Sequence, residues 1–340
     1  MTFEKKAKLS LLAAVIGAFL GSGIILFLTP AFRSVALTLL ITCAVVFIVV
    51  LVLAYALEGK SKKLRTPVFV AVVIVSLLAV SCIALYNYGK LMTFHPYFDE
   101  DSYDELSDMS NKVYEISEDG LCGWRLPAAS ETGDTPRPVI LYFGGNGENS
   151  STKILHIMEE SDLFFLHDDY DFIFIDYPSY GLSEGSISED AMRDYALKAY
   201  DIVTSLDTTS SVSLLSYSIG NGPAVYLASQ PNVEIENMVL LAPYYSGCDL
   251  YNNYLNIFHG PLVLLAAYRM PVYKYAGNVT CPVTVIASQD DEVIPIESSR
   301  HLFTELSESS ASFITVQGVE HNDFFSTDEV IDAVRNAFGG

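Results

Sequence analysis

The heptapeptide SYSIGNG, residues 216–222, decides the fold more directly than any other part of the chain. It follows the apolar run 212–215 and precedes a stretch compatible with a helix, the context in which a catalytic serine is presented on a sharp strand-to-helix turn. The pattern is G-x-S-x-G with Ser216 in place of the first glycine, and Ser218 is the predicted nucleophile. Large side chains would clash across such a turn, so Ser216 is expected to serve only by being small.

Downstream of this serine, the chain offers an acid and then a histidine, each directly after an apolar run. Asp290 and Asp291 follow the run 282–286, and His321 follows the run 312–316. A parallel α/β sheet places its ligand-facing loops at the carboxyl ends of its strands. The sequence therefore predicts that the serine, one of the two acids and the histidine meet at one edge of a sheet.

A glycine-rich segment, FGGNGEN at 143–149, follows another predicted strand at 138–143. Such a loop leaves backbone N–H groups free to stabilise the negative charge that develops on an oxygen during acyl transfer. It lacks the lysine and the spacing of a phosphate-binding P-loop, which argues against a nucleotide site.

Together these segments resemble the α/β-hydrolase superfamily, over residues from about 110 to 338. Five strings carry the resemblance, namely FGGNGEN at 143–149, DYPSYGLSEG at 176–185, SYSIGNGPA at 216–224, DEVIP at 291–295 and EHND at 320–323. They are similar to the membrane-anchored serine-hydrolase branch, and the order serine, acid, histidine is that of the superfamily. The chain departs from the usual pattern at Ser216 and at Gly144, where many relatives have histidine.

The resemblance implies an α/β fold with a mostly parallel eight-stranded sheet, helices on both faces and a lid insertion. Strands are expected near 111–117, 121–126, 138–143, 171–176, 211–216, 237–242, 282–287 and 312–316, with helices near 151–161, 188–206, 220–229, 297–308 and 327–338. It also implies a triad of Ser218, His321 and Asp291, since the acid of the resembled domains opens an Asp-x-x-Val/Ile-Pro-like string.

Backbone N–H groups of Ile219 and of Gly145 or Asn146 are the expected oxyanion donors. The implied reaction is hydrolysis of an ester, thioester or amide through an acyl-enzyme, with no cofactor and no metal. Two alternatives stay open, an acyltransferase that uses the same acyl-enzyme and a binding protein that keeps the fold without catalysis. The complete set of serine, acid and histidine favours an enzyme over the binding protein.

The front of the chain is far more apolar than the rest, although the whole chain of 340 residues is already 51% hydrophobic. Predominantly apolar segments at 9–30, 34–57 and 66–89 each reach the roughly 20 residues that a helix needs to cross a bilayer. The sequence thus predicts a membrane anchor over 1–90, an acidic linker over 91–110 and a catalytic domain over 111–340.

Basic residues predict the orientation of this anchor. Lysines at 5, 6 and 8 precede the first segment, and Lys60, Lys62, Lys63 and Arg65 separate the second from the third. Both regions should be cytoplasmic, which places the catalytic domain outside the cell membrane. A cleaved signal peptide over 1–30 is the rival interpretation, and it would leave the domain on the same side.

Charge divides the chain in the same way. Residues 1–90 contain nine basic and two acidic side chains, whereas 91–340 contain ten basic and thirty-nine acidic ones, which gives the overall net charge of −22. Such an acidic domain is repelled by nucleic acid and by anionic lipid. The acidic run at 99–108 is interpreted as a solvated linker, with a charged helix as the alternative.

The expected lid lies at 244–280, a long insertion that is rich in aromatic and aliphatic residues. An apolar lid suits a hydrophobic, lipid-like acyl substrate, while an insertion that only packs on the sheet is the alternative. Cys122, Cys248 and Cys281 lack the spacing of a disulfide framework or a metal site, so free thiols are the preferred interpretation. Nothing in the sequence indicates an oligomeric state.

Overall fold

The computed structural model describes residues 61–110, 112–130, 135–306 and 311–339, together with six single positions between 41 and 52. Contacts divide the chain into two compact units, Met1–Met92 and Thr93–Gly340.

In the first unit, helix α1 spans Lys62–Thr93. Its segment Thr66–Lys90 is 25 residues long with a mean hydropathy of 3.0, which by length and composition is enough to cross a bilayer. It coincides with the predicted span at 66–89. The predicted span at 9–30 and all but six positions of the one at 34–57 lie outside the described residues, so the three-helix anchor stays a prediction.

An eight-stranded sheet forms the centre of the second unit. Its strands are β1 Tyr114–Glu118, β2 Leu121–Leu126, β3 Arg137–Phe143, β4 Asp171–Ile175, β5 Thr209–Tyr217, β6 Met238–Leu241, β7 Val283–Ser288 and β8 Ala311–Val316. They lie in the order β1-β2-β4-β3-β5-β6-β7-β8. The pairs β1/β2 and β2/β4 are antiparallel and all the others are parallel, which confirms the predicted mostly parallel sheet.

The central strands are apolar because both faces of the sheet are covered. Strands β4 and β6 are buried at every position, as expected of parallel strands between two layers of helices. The helices are α2 Glu100–Asp108, α3 Ser150–Glu159, α4 Glu189–Ser205, α5 Asn221–Ala228, α6 Gly247–Tyr254, α7 Tyr273–Ala276, α8 Ile296–Glu305 and α9 Asp328–Ala337. Five of them, α3, α4, α5, α8 and α9, lie where the sequence predicts a helix.

The acidic run at 99–108 is a helix and not the predicted solvated linker. The side chain of Asp99 accepts a hydrogen bond from the Ser102 N–H and so caps α2, and two more acids occupy its first turn, where the helix dipole favours negative charge. Leu106 on the same helix is fully buried. The alternative interpretation, a charged helix, is therefore the one that the structure supports.

The insertion at 244–280 connects β6 to β7 and contains α6, a 3₁₀ helix at Gly260–Leu265 and α7. Part of it packs into the core, including Tyr244, Tyr268 and Val272. Cys122 and Cys248 are half-buried free thiols and Cys281 is a buried one.

Candidate active site

The predicted nucleophile lies on a strained turn between β5 and α5. Ser218 opens a 3₁₀ turn at Ser218–Gly220 and has a φ of +52°, a backbone conformation that few residues with side chains adopt. A Cβ atom on Gly220 would lie 2.2 Å from the carbonyl oxygen of Phe143, so only glycine fits there. The G-x-S-x-G pattern thus reflects how closely β3 approaches the turn.

The serine, histidine and acid from three separate strand ends form one hydrogen-bonded chain. Ser218 Oγ lies 2.9 Å from His321 Nε2, and His321 Nδ1 lies 2.8 Å from Asp291 Oδ2. The other oxygen of Asp291 accepts hydrogen bonds from the N–H groups of Val293 and Ile294, at 2.9 and 2.8 Å. All three side chains are buried. This arrangement fixes the orientation of the imidazole ring, with Nε2 toward the serine and Nδ1 toward the acid.

The neighbours of Asp291 have different partners. Asp290 is exposed and accepts a hydrogen bond from the Gly318 N–H at 2.6 Å, away from the imidazole. Glu292 Oε2 accepts one from the backbone N–H of His321 at 3.2 Å. Of the two candidate acids in the sequence, the structure therefore brings Asp291 to the histidine.

Tyr217, the residue before the serine, holds the histidine from the other side. Its hydroxyl donates to the backbone carbonyl of His321, and its ring stacks on the imidazole at a centroid distance of 5.3 Å. Sequence reasoning missed this contact, because the middle position of the motif accepts many residue types and carries no signal for a partner 104 residues away.

Ser216 does more than stay small, which corrects the expectation from the sequence. Its hydroxyl donates to the side-chain oxygen of Asn221 at 2.8 Å. The Asn221 amide then donates to the carbonyl oxygens of Ser218 at 2.7 Å and of Leu241 at 2.9 Å. Both Ser216 and Asn221 are fully buried, so these bonds tie the nucleophile turn to the end of β6.

A half-buried carboxylate organises the glycine-rich loop. Glu148 Oε2 accepts hydrogen bonds from the Gly145 N–H and from the Tyr142 hydroxyl, both at 2.7 Å, and Oε1 lies 2.7 Å from Lys153 Nζ. Burial by itself raises the pKa of the Glu148 carboxyl, but the Lys153 ammonium and the hydrogen bonds outweigh it and leave that pKa below its ordinary value. Glu148 is therefore a charged clamp on the loop.

The expected oxyanion donors differ in whether their N–H groups already have an acceptor. Of the two loop residues expected to supply a donor, Gly145 is the one whose N–H is already bound to Glu148. The N–H of Asn146 has no acceptor among the described residues, and the N–H of Ile219 lies in the first turn of a helix, where N–H groups lack partners within the helix. Of the three predicted donors, Asn146 and Ile219 remain available.

The side chain of Asn146 is held by the segment that follows α1. Its oxygen accepts hydrogen bonds from the backbone N–H of His95 at 2.8 Å and from the Tyr180 hydroxyl at 2.9 Å. Its amide nitrogen lies 2.7 Å from His95 Nδ1, which accepts when the ring proton is on Nε2. The sequence gives no signal for this contact, because a histidine 51 residues away from a loop shows no pattern with it.

Known proteins resemble this chain in sequence and in fold. No protein-family model matches the chain. An alpha/beta hydrolase of Acanthamoeba polyphaga mimivirus is 23% identical over 246 residues, which cover 69% of this chain and 86% of that protein. The relatives and the fold support the α/β-hydrolase superfamily that the sequence predicted.

Two further known proteins are similar to this chain, one in sequence and one in fold. The lysophosphatidylserine lipase ABHD12 of Xenopus tropicalis is 21% identical over 232 residues, covering 60% of this chain and 58% of that protein. The solved structure of an esterase from Pyrococcus furiosus has a TM-score of 0.54 at 15% identity, covering 73% of this chain and 98% of that one, and it shares the fold. Together the named relatives support a serine hydrolase of the carboxylesterase or lipase type, as the sequence predicted.

An apolar cavity lies beside the nucleophile turn of the hydrolase. Its lining includes Ile219, the residue after the serine, together with Phe94, Met192, Tyr244, Met270 and Val272. Three of these, Tyr244, Met270 and Val272, belong to the insertion at 244–280, so the insertion contributes directly to the wall. Among the described residues, no group of three His, Cys, Asp or Glu side chains is placed to share a metal ion.

Proposed function

We propose that the chain is a membrane-anchored serine hydrolase that cleaves an ester, thioester or amide of a hydrophobic acyl group. The observation that carries the proposal is the hydrogen-bonded chain from Ser218 through His321 to Asp291, on a strained turn beside two unengaged backbone N–H groups. The hydrolase and lipase names of the relatives support the same class.

In the proposed mechanism, Ser218 Oγ attacks the acyl carbonyl while His321 Nε2 takes its proton. Asp291 accepts a hydrogen bond from the Nδ1–H of the same ring, so it holds the tautomer that leaves Nε2 free and stabilises the imidazolium that forms. His321 then returns the proton to the leaving group, and a water molecule repeats the sequence on the acyl-enzyme. The first transfer, from Ser218 Oγ to His321 Nε2, spans the 2.9 Å that separates these atoms in the free protein.

The oxyanion of the tetrahedral intermediate would be held by the backbone N–H groups of Ile219 and Asn146. Loss of one such donor costs about 10²–10³ in rate in serine hydrolases, so the position of the loop matters for turnover. Glu148 and His95 are proposed to act as positioning residues, since each fixes the loop through one hydrogen-bonded group of Gly145 or Asn146.

The apolar cavity beside Ile219 supports a hydrophobic acyl chain. Most of its wall is aromatic, aliphatic or thioether side chains, which gain by covering hydrocarbon, although Glu189 and Arg193 also line it. We propose that the insertion at 244–280 acts as a lid over this cavity. The lipid substrate in the name of the ABHD12 relatives makes monoacyl phospholipids one substrate class to test.

The enzymatic proposal is tested by labelling the full chain with a fluorophosphonate probe and measuring hydrolysis of p-nitrophenyl esters of increasing chain length. We expect labelling that Ser218→Ala abolishes, and a kcat/KM that rises with acyl length until the cavity is filled. Monoacyl phospholipids form a second arm, and an added alcohol acceptor would reveal acyl transfer in place of hydrolysis. Absence of labelling in the folded wild-type chain would sink the proposal.

For the anchor, we propose three spans with the catalytic domain outside the cytoplasm. Support comes from the described span at Thr66–Lys90 and from the basic residues on its amino-terminal side. A reporter that is active only outside the cytoplasm, fused after residue 340, should be active, whereas a cytoplasmic reporter there should be silent. The reverse result would reject the topology without touching the chemistry.

A further inference from the structure

One stretch of the insertion combines a lack of charge with exposed apolar side chains. Residues 250–268 contain no Asp, Glu, Lys or Arg, although 91–340 as a whole contain thirty-nine acidic and ten basic side chains. The longer uncharged run at 208–233 forms β5, the nucleophile turn and α5 and exposes no large hydrophobic side chain, whereas an uncharged stretch that does expose them indicates an interaction site.

Several large apolar side chains of this stretch are exposed. We call them the uncharged surface, and its members are Tyr254, 73% exposed, Leu264, 66%, Leu255, 48%, and Leu262, 46%. They lie within eleven residues of chain. Reciprocal hydrogen bonds between the Asn252 side chain and the backbone of Phe258 hold the loop between α6 and the following 3₁₀ helix, at 2.8 and 3.3 Å.

The uncharged surface lies at the edge of the sheet that carries the candidate active site. The Asn253 amide donates to the backbone carbonyls of Glu292 and Val293, at 2.8 and 3.2 Å, in the loop that supplies the catalytic acid. Helix α6 is thus fixed against that loop, and the exposed side chains follow directly after it.

The same stretch contacts the residues that connect the domain to the candidate span. The Tyr251 hydroxyl lies 2.6 Å from Thr93 Oγ1, and the Tyr268 ring packs edge-on against Phe94 at 4.8 Å. The span ends at Lys90, and three residues of chain reach at most about 10 Å. Thr93 and Phe94 are the first residues of the second unit, so this stretch packs against the amino-terminal end of the domain.

We propose that the uncharged surface docks on the lipid bilayer that the anchor crosses. This rests on the anchor of the proposed function. The acidic remainder of the domain is repelled by anionic lipid headgroups, so the uncharged stretch is the part of the surface that can approach a membrane closely. Leucines gain by entering the acyl region, and a tyrosine suits the interface. Docking would bring the catalytic edge to substrates dissolved in the membrane.

Depth-dependent quenching tests the docking without requiring turnover. The full chain, reconstituted in phosphatidylcholine nanodiscs with brominated acyl chains, would carry Leu262→Trp. Phe164→Trp is the matched control, because Phe164 is 45% exposed against 46% for Leu262 and both lie in a 3₁₀ helix. Phe164 precedes the amino-terminal end of β4, whereas the candidate active site lies at the carboxyl ends of the strands. The single native tryptophan, Trp124, is buried and gives the background.

We expect brominated lipid to quench the emission of Leu262→Trp, whose maximum is blue-shifted by the apolar surroundings, while that of Phe164→Trp stays at the unbrominated level. Equal quenching of both variants, or of neither, would overturn the proposal. If Leu262→Trp is unquenched and cross-links to a second copy of the chain, the surface is a protein interface and the proposal is likewise wrong.

A functional arm separates docking from catalysis. The double variant Leu262→Asp/Leu264→Asp should lose about tenfold or more in kcat/KM on a lipid ester within vesicles relative to its loss on a soluble ester, the factor that corresponds to one buried leucine. Equal losses on both substrates would count against docking. Quenching of Leu262→Trp together with a wild type that is inactive on every ester would reject the proposed function and leave the docking in place.

Discussion

The nucleophile turn and the glycine-rich loop lie side by side at one edge of the sheet, yet their chemistry is specified in different ways. At the turn, side chains would carry the proposed chemistry, and Ser218, His321 and Asp291 bind one another directly. At the loop, backbone N–H groups would carry it. Glu148 engages the Gly145 N–H and His95 holds the Asn146 side chain, and neither of these contacts is indicated by residue type alone.

The difference teaches where a sequence motif stops being informative. The chemistry of a side chain follows from its residue type, so three residue types in the correct order already predict a triad. Every non-proline residue carries the same N–H donor, so its availability depends on what happens to accept from it in the folded chain. Variants at the turn should therefore have large effects on turnover, and variants at the loop smaller effects that spread into stability.

The largest effect is expected for the serine and the histidine. Ser218→Ala and His321→Ala should each lower kcat by roughly 10⁶, as for residues of a triad that act as a unit. The double variant should be little worse than either single one. Single-turnover kinetics on a p-nitrophenyl ester would measure this, and losses that multiply in the double variant would show that the two side chains do not work together.

Next in size is the acid. Asp291→Asn should lower kcat by up to about 10⁴, because an amide does not stabilise the imidazolium and favours the wrong tautomer. Asp290→Asn is the matched control one residue away, and it should cost little since its side chain binds only the Gly318 N–H. Both are compared at matched melting temperatures, and a reversal of the two losses would assign the role to Asp290.

Glu148→Gln probes the loop. We expect kcat to fall by about 10-fold to 10²-fold with little change in KM, less than the loss of a whole oxyanion donor. Stability should fall as well, by about 3–5 kcal/mol, since Lys153 is left buried without its partner.

The double variant Glu148→Gln/Lys153→Met is the control for that loss of stability. It removes the unpaired charge, so the melting temperature should recover while kcat stays low. Recovery of kcat together with the melting temperature would show that Glu148 is only a structural residue. Because the pKa of Glu148 is lowered in the folded protein, its stabilisation is present at neutral pH and is lost as the pH falls through that value; Glu148→Gln should remove this part of the acid sensitivity.

His95→Ala is expected to have a smaller effect. It removes one side-chain hydrogen bond to Asn146 and leaves the bond from its own backbone N–H, so kcat should fall by roughly two- to tenfold. His301→Ala, on the exposed face of α8, is the control and should leave kcat unchanged. A change in KM with no change in kcat would place His95 in substrate binding and not in positioning the loop.

Ser216→Ala should have the smallest effect. It leaves the oxygen of the buried Asn221 side chain without its donor, which should cost about 1 kcal/mol of unfolding free energy and a few-fold in kcat. Urea unfolding and steady-state kinetics measure the two. If the variant is silent in both, small size alone explains the residue at this position, as the sequence suggested.

The sequence by itself determined the class of the catalytic domain and its candidate triad. Apolar runs of strand length, each followed by a chemically distinctive residue, predicted the eight strands and put Ser218, Asp291 and His321 at their ends. The candidate span at Thr66–Lys90 could also be predicted from the sequence, because length and hydropathy are properties of a continuous segment. The acidic run at 99–108 was misjudged, since its single buried anchor, Leu106, gives almost no periodic signal.

Only the tertiary structure decided which groups around that triad are engaged. It bound the Gly145 N–H to Glu148, seated the Asn146 side chain on His95, and made Ser216 a donor to Asn221. It also left the uncharged side chains of the insertion exposed. Each of these depends on contacts between segments far apart in the chain, and a hydrogen bond or an exposed face is a property of packing that no local pattern of residues encodes.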